Sequence, residues 1–168
     1  MKAKSAEAQI KTFLAKYSPG IAAELRAARK HLQALFPRGY ELVYDNYNAL
    51  VFGFSASDRS TDAFLSIAGY PRWITLFFLP GVGLEDPQRL LEGSGSKVRS
   101  IRLESARQLR EPAVKRLIAQ AISPHRHALK QAGALTTTVK SISAKQRPRR
   151  PEAPLKKARG PATRRTRP

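Results

Sequence analysis

Apolar residues recur along this chain first with a helical period and then with a strand period. Ile10, Phe13, Leu14 and Tyr17 fall at steps of three, one and three, which is one stripe of a helix. Ser18-Pro19 reads as an N-cap followed by proline at the first helical position. Ile21, Leu25, Ala28, Leu32, Leu35 and Phe36 then define a second amphipathic helix, closed by Pro37 and Gly39. From Tyr40 the period drops to two. Tyr40, Leu42 and Tyr44 share one face of a strand, and Leu50, Phe52 and Phe54 share one face of the next. Phe64 to Tyr70, Trp73 to Leu79 and Val98 to Leu103 supply three more. The second of these is apolar almost throughout, as a strand covered on both faces is. The polar stretch Ser55 to Asp62 predicts a turn.

Asp86-Pro87 predicts a capped helix start, with Leu90-Leu91 anchoring a short helix that Gly93 ends. Val114, Leu117, Ile118, Ala121 and Ile122 form the core stripe of a closing helix, which Ser123-Pro124 should break or kink. This order predicts an α+β fold, a largely antiparallel five-stranded sheet covered by helices. Past Leu135 the periodicity fails. Gln146 to Pro168 is almost wholly Pro, Arg, Lys, Ala and Thr, with Leu155 its only large aliphatic residue. Such a composition buries too little apolar surface to offset the entropy of ordering it. The expected organisation is therefore a folded domain over residues 1–130 and a disordered basic tail over residues 131–168.

Charge sharpens that division. The chain of 168 residues carries a formal net charge of +19. Residues 130–168 hold twelve of the 31 Lys and Arg but only Glu152 among the acids, a net +11, which leaves +8 on residues 1–129. A run of like charges serves solubility in many proteins. Here proline keeps it extended, as an arm for a polyanion requires. The expected contacts are Lys145, Arg147, Arg149, Arg150, Lys156, Lys157, Arg159, Arg164, Arg165 and Arg167. Neutralising about ten phosphates gives a log–log salt slope near −9. Arg147-Pro148-Arg149-Arg150-Pro151 approaches an AT-hook but lacks its Arg-Gly-Arg-Pro centre, so the expected contact with nucleic acid is sequence-independent.

The absence of cysteine removes disulfides, thiolate metal sites and Cys nucleophiles together. No apolar run follows Lys2 and Lys4, and Trp73 to Leu79 is too short to span a bilayer, so a cytoplasmic protein with no membrane partner is expected. No G-x-S-x-G or H-E-x-x-H motif occurs. His125 and His127 would point roughly 200° apart on a helix, and His31 has no acidic residue three or four positions away. The reading is a non-enzymatic protein without cofactor or bound metal.

Two segments are candidate sites for a small ligand. Tyr44-Asp45-Asn46-Tyr47-Asn48 sits where two strands should turn, and Tyr44, Asp45, Asn46 and Asn48 offer phenol, carboxylate and amide groups there. Asn and Asp are also simply good hairpin residues. Gly93-Ser94-Gly95-Ser96-Lys97 is a glycine turn ending in a cation, with Arg99 following. Such turns cradle anions through backbone N–H groups, and they also stop helices.

The block Leu76–Gly95, with Pro80-Gly81-Val82-Gly83, Asp86-Pro87 and Gly93-Ser94-Gly95 in order, is the most informative part of the chain. Val98-Arg99-Ser100-Ile101-Arg102-Leu103 follows it, and an Ala-rich helix comes last. Together, over roughly residues 5–125, these resemble the YdhG-like family of small bacterial proteins, domain of unknown function 1801. The resemblance implies the α+β fold. Through the family's frataxin-like members it also implies an alternative role as an intracellular iron chaperone. That role needs clustered carboxylates, because iron as a hard cation favours oxygen ligands. The first helix instead shows Lys2, Lys4, Lys11 and Lys16 against Glu7 alone.

Overall fold

Helix α1 (Ala6–Leu14) starts where the Ser5 hydroxyl accepts the amide of Ala8 at 3.2 Å, and it buries Ile10, Phe13 and Leu14. The computed structural model describes residues 4–151. Helix α2 (Pro19–Leu35) opens on proline as expected, although the Ser18 hydroxyl makes no capping bond. Its buried stripe is Ala22, Leu25, Ala28 and Leu32, with Arg29 among them. Five strands then run as a meander: β1 (Tyr40–Asp45), β2 (Leu50–Ser55), β3 (Ala63–Gly69), β4 (Ile74–Phe78) and β5 (Arg99–Leu103). Each pairs antiparallel with the next. Helix α3 (Pro112–Ile122) ends at the expected break, and a single 3-10 turn leads into the short α4 (Arg126–Gln131).

The sheet has six strands, not five. Strand β6 (Thr136–Ile142) pairs parallel with β1, giving the order β5-β4-β3-β2-β1-β6 and a mixed, mostly antiparallel sheet. Residues 131–151 thus belong to the folded body rather than to a structureless tail. The remainder of the expected tail lies outside the described residues. The physical reason for the miss is that an edge strand is held by backbone pairing, which needs no apolar alternation. Thr136-Thr137-Thr138-Val139 has the β-branched side chains that suit a pleated surface, but none of the seven strand residues is fully buried.

The helix expected after Asp86 is also absent. The Asp86 carboxylate accepts the amides of Leu90 at 2.9 Å and Leu91 at 2.8 Å, and Arg89 adopts a φ of 54°. These side-chain bonds close a turn in place of the helical ladder.

One core joins the helices to one face of the sheet. Val43, Phe52, Phe54, Leu65, Ile67, Leu76, Phe78, Ile101 and Leu103 pack with the stripes of α1, α2 and α3. On that same face lies Glu41, fully buried. Arg29 meets it with two bonds (Nε–Oε2 3.0 Å, Nη2–Oε1 2.8 Å) and meets Glu7 with two more. Gln33 and the Thr137 hydroxyl complete the oxygens of Glu41, and the Arg29 guanidinium lies 5.0 Å over the Phe52 ring. Burial opposes the charge of Arg29, but the hydrogen bonds it donates to Glu7 and Glu41, with their negative charges, outweigh it and raise its pKa. Removing one partner of a buried pair leaves the other charge uncompensated. Arg29→Ala is expected to lower the unfolding free energy by about 3–5 kcal/mol, read by urea denaturation.

Candidate functional site

The hairpin end of the sheet closes around Asp45. The turn joining β1 to β2 is held by the Asn46 amide donating to the Ala49 carbonyl at 2.9 Å. Asp45 has no exposed surface. Its Oδ2 accepts Lys16 Nζ at 2.6 Å and Gln146 Nε2 at 2.9 Å, while its Oδ1 accepts Arg149 Nη2 at 3.0 Å. Arg149 also donates to the Asn46 carbonyl and, at 2.6 Å, to the Tyr17 hydroxyl. That hydroxyl donates to the Gly69 carbonyl at 2.7 Å and accepts the Leu50 amide at 2.9 Å. Burial raises the pKa of Tyr17, with the charge of Arg149 opposing.

This geometry corrects two expectations. Asp45 is a structural anion with every oxygen partnered by protein, and is not presented to a ligand. Arg149 is 3% exposed and clasps the fold rather than reaching for phosphate. Tyr44 is half-buried and its hydroxyl has no protein partner, while Asn46 and Asn48 are exposed at the hairpin tip. Of the other expected nucleic-acid contacts, Lys145, Arg147 and Arg150 are exposed. Arg147 sits 5.6 Å over the Tyr47 ring, and Arg150 donates to the Ala15 carbonyl at 3.4 Å. Lys156, Lys157, Arg159, Arg164, Arg165 and Arg167 lie outside the described residues.

Lys97 and Arg99 stand at the opposite corner. Following the register from Arg99 through Phe78, Leu65 and Phe54 arrives at Glu41, the far end of β1 from Asp45. Four strand spacings of about 4.8 Å add roughly 19 Å across the sheet. The two candidate segments are therefore not one site. Arg99 is also committed to its own turn, donating to the carbonyls of Gly95 at 2.6 Å and Val98 at 2.8 Å. Gly81 packs so closely here that a Cβ would lie 2.7 Å from the Arg99 amide nitrogen and 2.9 Å from the Phe78 carbonyl. Only glycine lets the Gly81 and Val82 amides reach the Lys97 carbonyl, at 2.7 and 3.1 Å.

With its backbone so held, Lys97 borders a cleft of about 840 Å³. Ser57, Ser60, Thr61, Asp62 and His125 line it too. Ser57 donates to Asp62 Oδ2 at 2.6 Å. His125 stacks on Phe64, ring centroids 4.9 Å apart and planes 24° from parallel. Burial lowers its pKa and Asp62 only partly offsets this, so the imidazole is neutral at neutral pH. The cleft thus offers one cation, one carboxylate already holding a hydroxyl, and a neutral ring with one N–H and one acceptor nitrogen. Among the described residues no three His, Asp or Glu side chains gather as a metal-holding group.

Of the expected site residues that are described, only Lys97 lines this cleft. The Ser55–Asp62 stretch carried a turn signal alone, and His125 lies more than sixty positions further on. Nothing local links them. No family model, no curated protein and no solved structure matches the chain. Among the described residues no helix is long and apolar enough to cross a membrane.

The lowered pKa of His125 makes a signed prediction. The unfolded chain takes up the imidazole proton first, so stability falls as pH drops below the ordinary value of 6.5, and His31 acts in the same sense. His125→Phe keeps a ring on Phe64 and should reduce the loss of unfolding free energy between pH 7.5 and 5.5, measured by urea denaturation.

Proposed function

We propose that the chain is a YdhG-like binding module, not an enzyme, that holds a small anionic molecule in the cleft of Lys97 and His125. The observation that carries this reading is the convergence of Lys97, His125 and four hydroxyl residues, Ser57, Ser60, Thr61 and Ser96, from distant segments on one cleft. A carboxylate or phosphate finds an ammonium and several donors there. Asp62 narrows the class. A bare anion is repelled by it, whereas a molecule that also carries a hydroxyl or amine donates to its free oxygen. The favoured ligand is therefore a small hydroxylated or amino-bearing acid.

The order of Pro80-Gly81-Val82-Gly83, Asp86-Pro87 and Gly93-Ser94-Gly95 supports the family reading, and an α+β fold is compatible with it. The iron-chaperone alternative has no ligand cluster among the described residues in its favour.

Native mass spectrometry of the purified chain tests the ligand. The expected result is a bound small acid that is lost in Lys97→Glu, with the circular dichroism spectrum unchanged. A ligand retained by that variant would refute the cleft.

A second reading, sequence-independent contact with nucleic acid, rests on the net charge of +19 and on the exposure of Lys145, Arg147 and Arg150. Deleting residues 136–168 cannot test it, because the cut removes β6 and strips Asp45 of Arg149. Deletion of residues 152–168 removes six Lys and Arg. It should flatten the log–log salt slope of random-sequence DNA binding by up to about 5. An unchanged slope would assign the contact elsewhere.

A further inference from the structure

A second concavity shares no lining residue with the Lys97 cleft. It runs between α2 and α3, with a volume of about 630 Å³, inside the ~300–1,000 Å³ range of small-molecule sites. Its floor is apolar: Leu35 and Phe36 from the end of α2, and Ile118, Ala119 and Ile122 from α3. Its rim is His31, Arg110, Lys115 and Arg126, with no carboxylate among the lining residues. Leu35 is 42% exposed here, the largest side chain of the floor left open to solvent.

The rim is not symmetrical. Arg110 and Lys115 both act on His31, so these three groups gather at one end, while Arg126 stands at the other. Between Lys115 and Ile122 the helix rises about 10 Å, seven residues at ~1.5 Å each. An apolar track of that length with a cationic head end is complementary to one kind of molecule.

We infer that the groove between α2 and α3 binds an anionic amphiphile, a medium-chain carboxylic acid, with its head group among His31, Arg110 and Lys115 and its chain along Leu35, Ile118 and Ile122. A protein partner fits less well. Five floor side chains fall well short of the roughly 800 Å² per partner that a stable interface buries. Free phosphate or nucleic acid would use the cations but leave the floor wet. Arg110 and Lys115 are exposed and make no side-chain bond within the described fold, so their charge is available.

Octanoate titrated into the full chain, followed by histidine proton resonances, tests the assignment. His31 is identified by His31→Gln. The expected result is a saturable shift of His31 and a rise of its pKa in the complex, since a bound anion favours the imidazolium. Arg110→Glu with Lys115→Glu should weaken binding at least tenfold, and Leu35→Glu should also weaken it. All three positions are exposed, and a thermal melt checks that each variant folds. Lys97→Glu should leave octanoate binding unchanged, which separates this groove from the cleft. Equal binding of acetate would overturn the role of the floor. Equal binding by the Arg110/Lys115 double variant would overturn the groove, and so would displacement of octanoate by short random-sequence DNA.

Discussion

Strand β1 carries two carboxylates, Glu41 and Asp45, on the face that meets the helices, and neither has any exposed surface. A buried carboxylate without a partner costs several kcal/mol, so each must be met by cations and donors from elsewhere in the chain. Glu41 draws in Arg29 from α2, Gln33 and, across the edge, Thr137 of β6. Asp45 draws in Lys16 from the end of α1, with Gln146 and Arg149 from beyond β6. Helix layer, sheet and C-terminal strand are thereby tied to one strand. Residues 136–149 are held to the body through β6 and the partners that Gln146 and Arg149 supply to Asp45.

That constraint polarises the molecule. At the Asp45 end the buried carboxylate consumes Lys16 and Arg149, leaving Arg147 and Arg150 at the surface, and the Tyr17 hydroxyl fills its own capacity with Gly69, Leu50 and Arg149. At the other end residues of the loops after β2 and β4 face His125 and Ala128. A cleft remains there, with Lys97 and His125 in no side-chain ion pair among the described residues. In the helix layer Arg29 is the one cation that Glu7 and Glu41 pair with among the described residues, and Arg110 and Lys115 stay exposed. Binding capacity sits where the internal neutralisation stops.

The fold was largely legible in the residues. Three amphipathic helices and five strands announced themselves through periodicity, although in β1 the stripe Tyr40, Leu42 and Tyr44 faces away from the core that Val43 joins. The Ser123-Pro124 break was legible for a stereochemical reason, the missing amide of proline. Failures came where side chains do not report structure. Strand β6 is an edge held by backbone bonds, and the Asp86 turn is closed by carboxylate oxygens that also suit a helix cap. For the sites, only Lys97 could be picked out, because a glycine turn ending in a cation is a local signal.

What the residues by themselves determined is the set of elements and the charge balance, both being sums over near neighbours. Whether a given charge faces solvent was decided only by packing. Arg149 and Arg150 are adjacent and chemically identical, yet one is buried against Asp45 and Tyr17 and the other is exposed. His125 likewise became a cleft residue only when the 3-10 turn after α3 set it against Phe64 and the β2–β3 loop. Pairing over a hundred positions apart leaves no trace in local order, because its energy depends on where the sheet brings the partners.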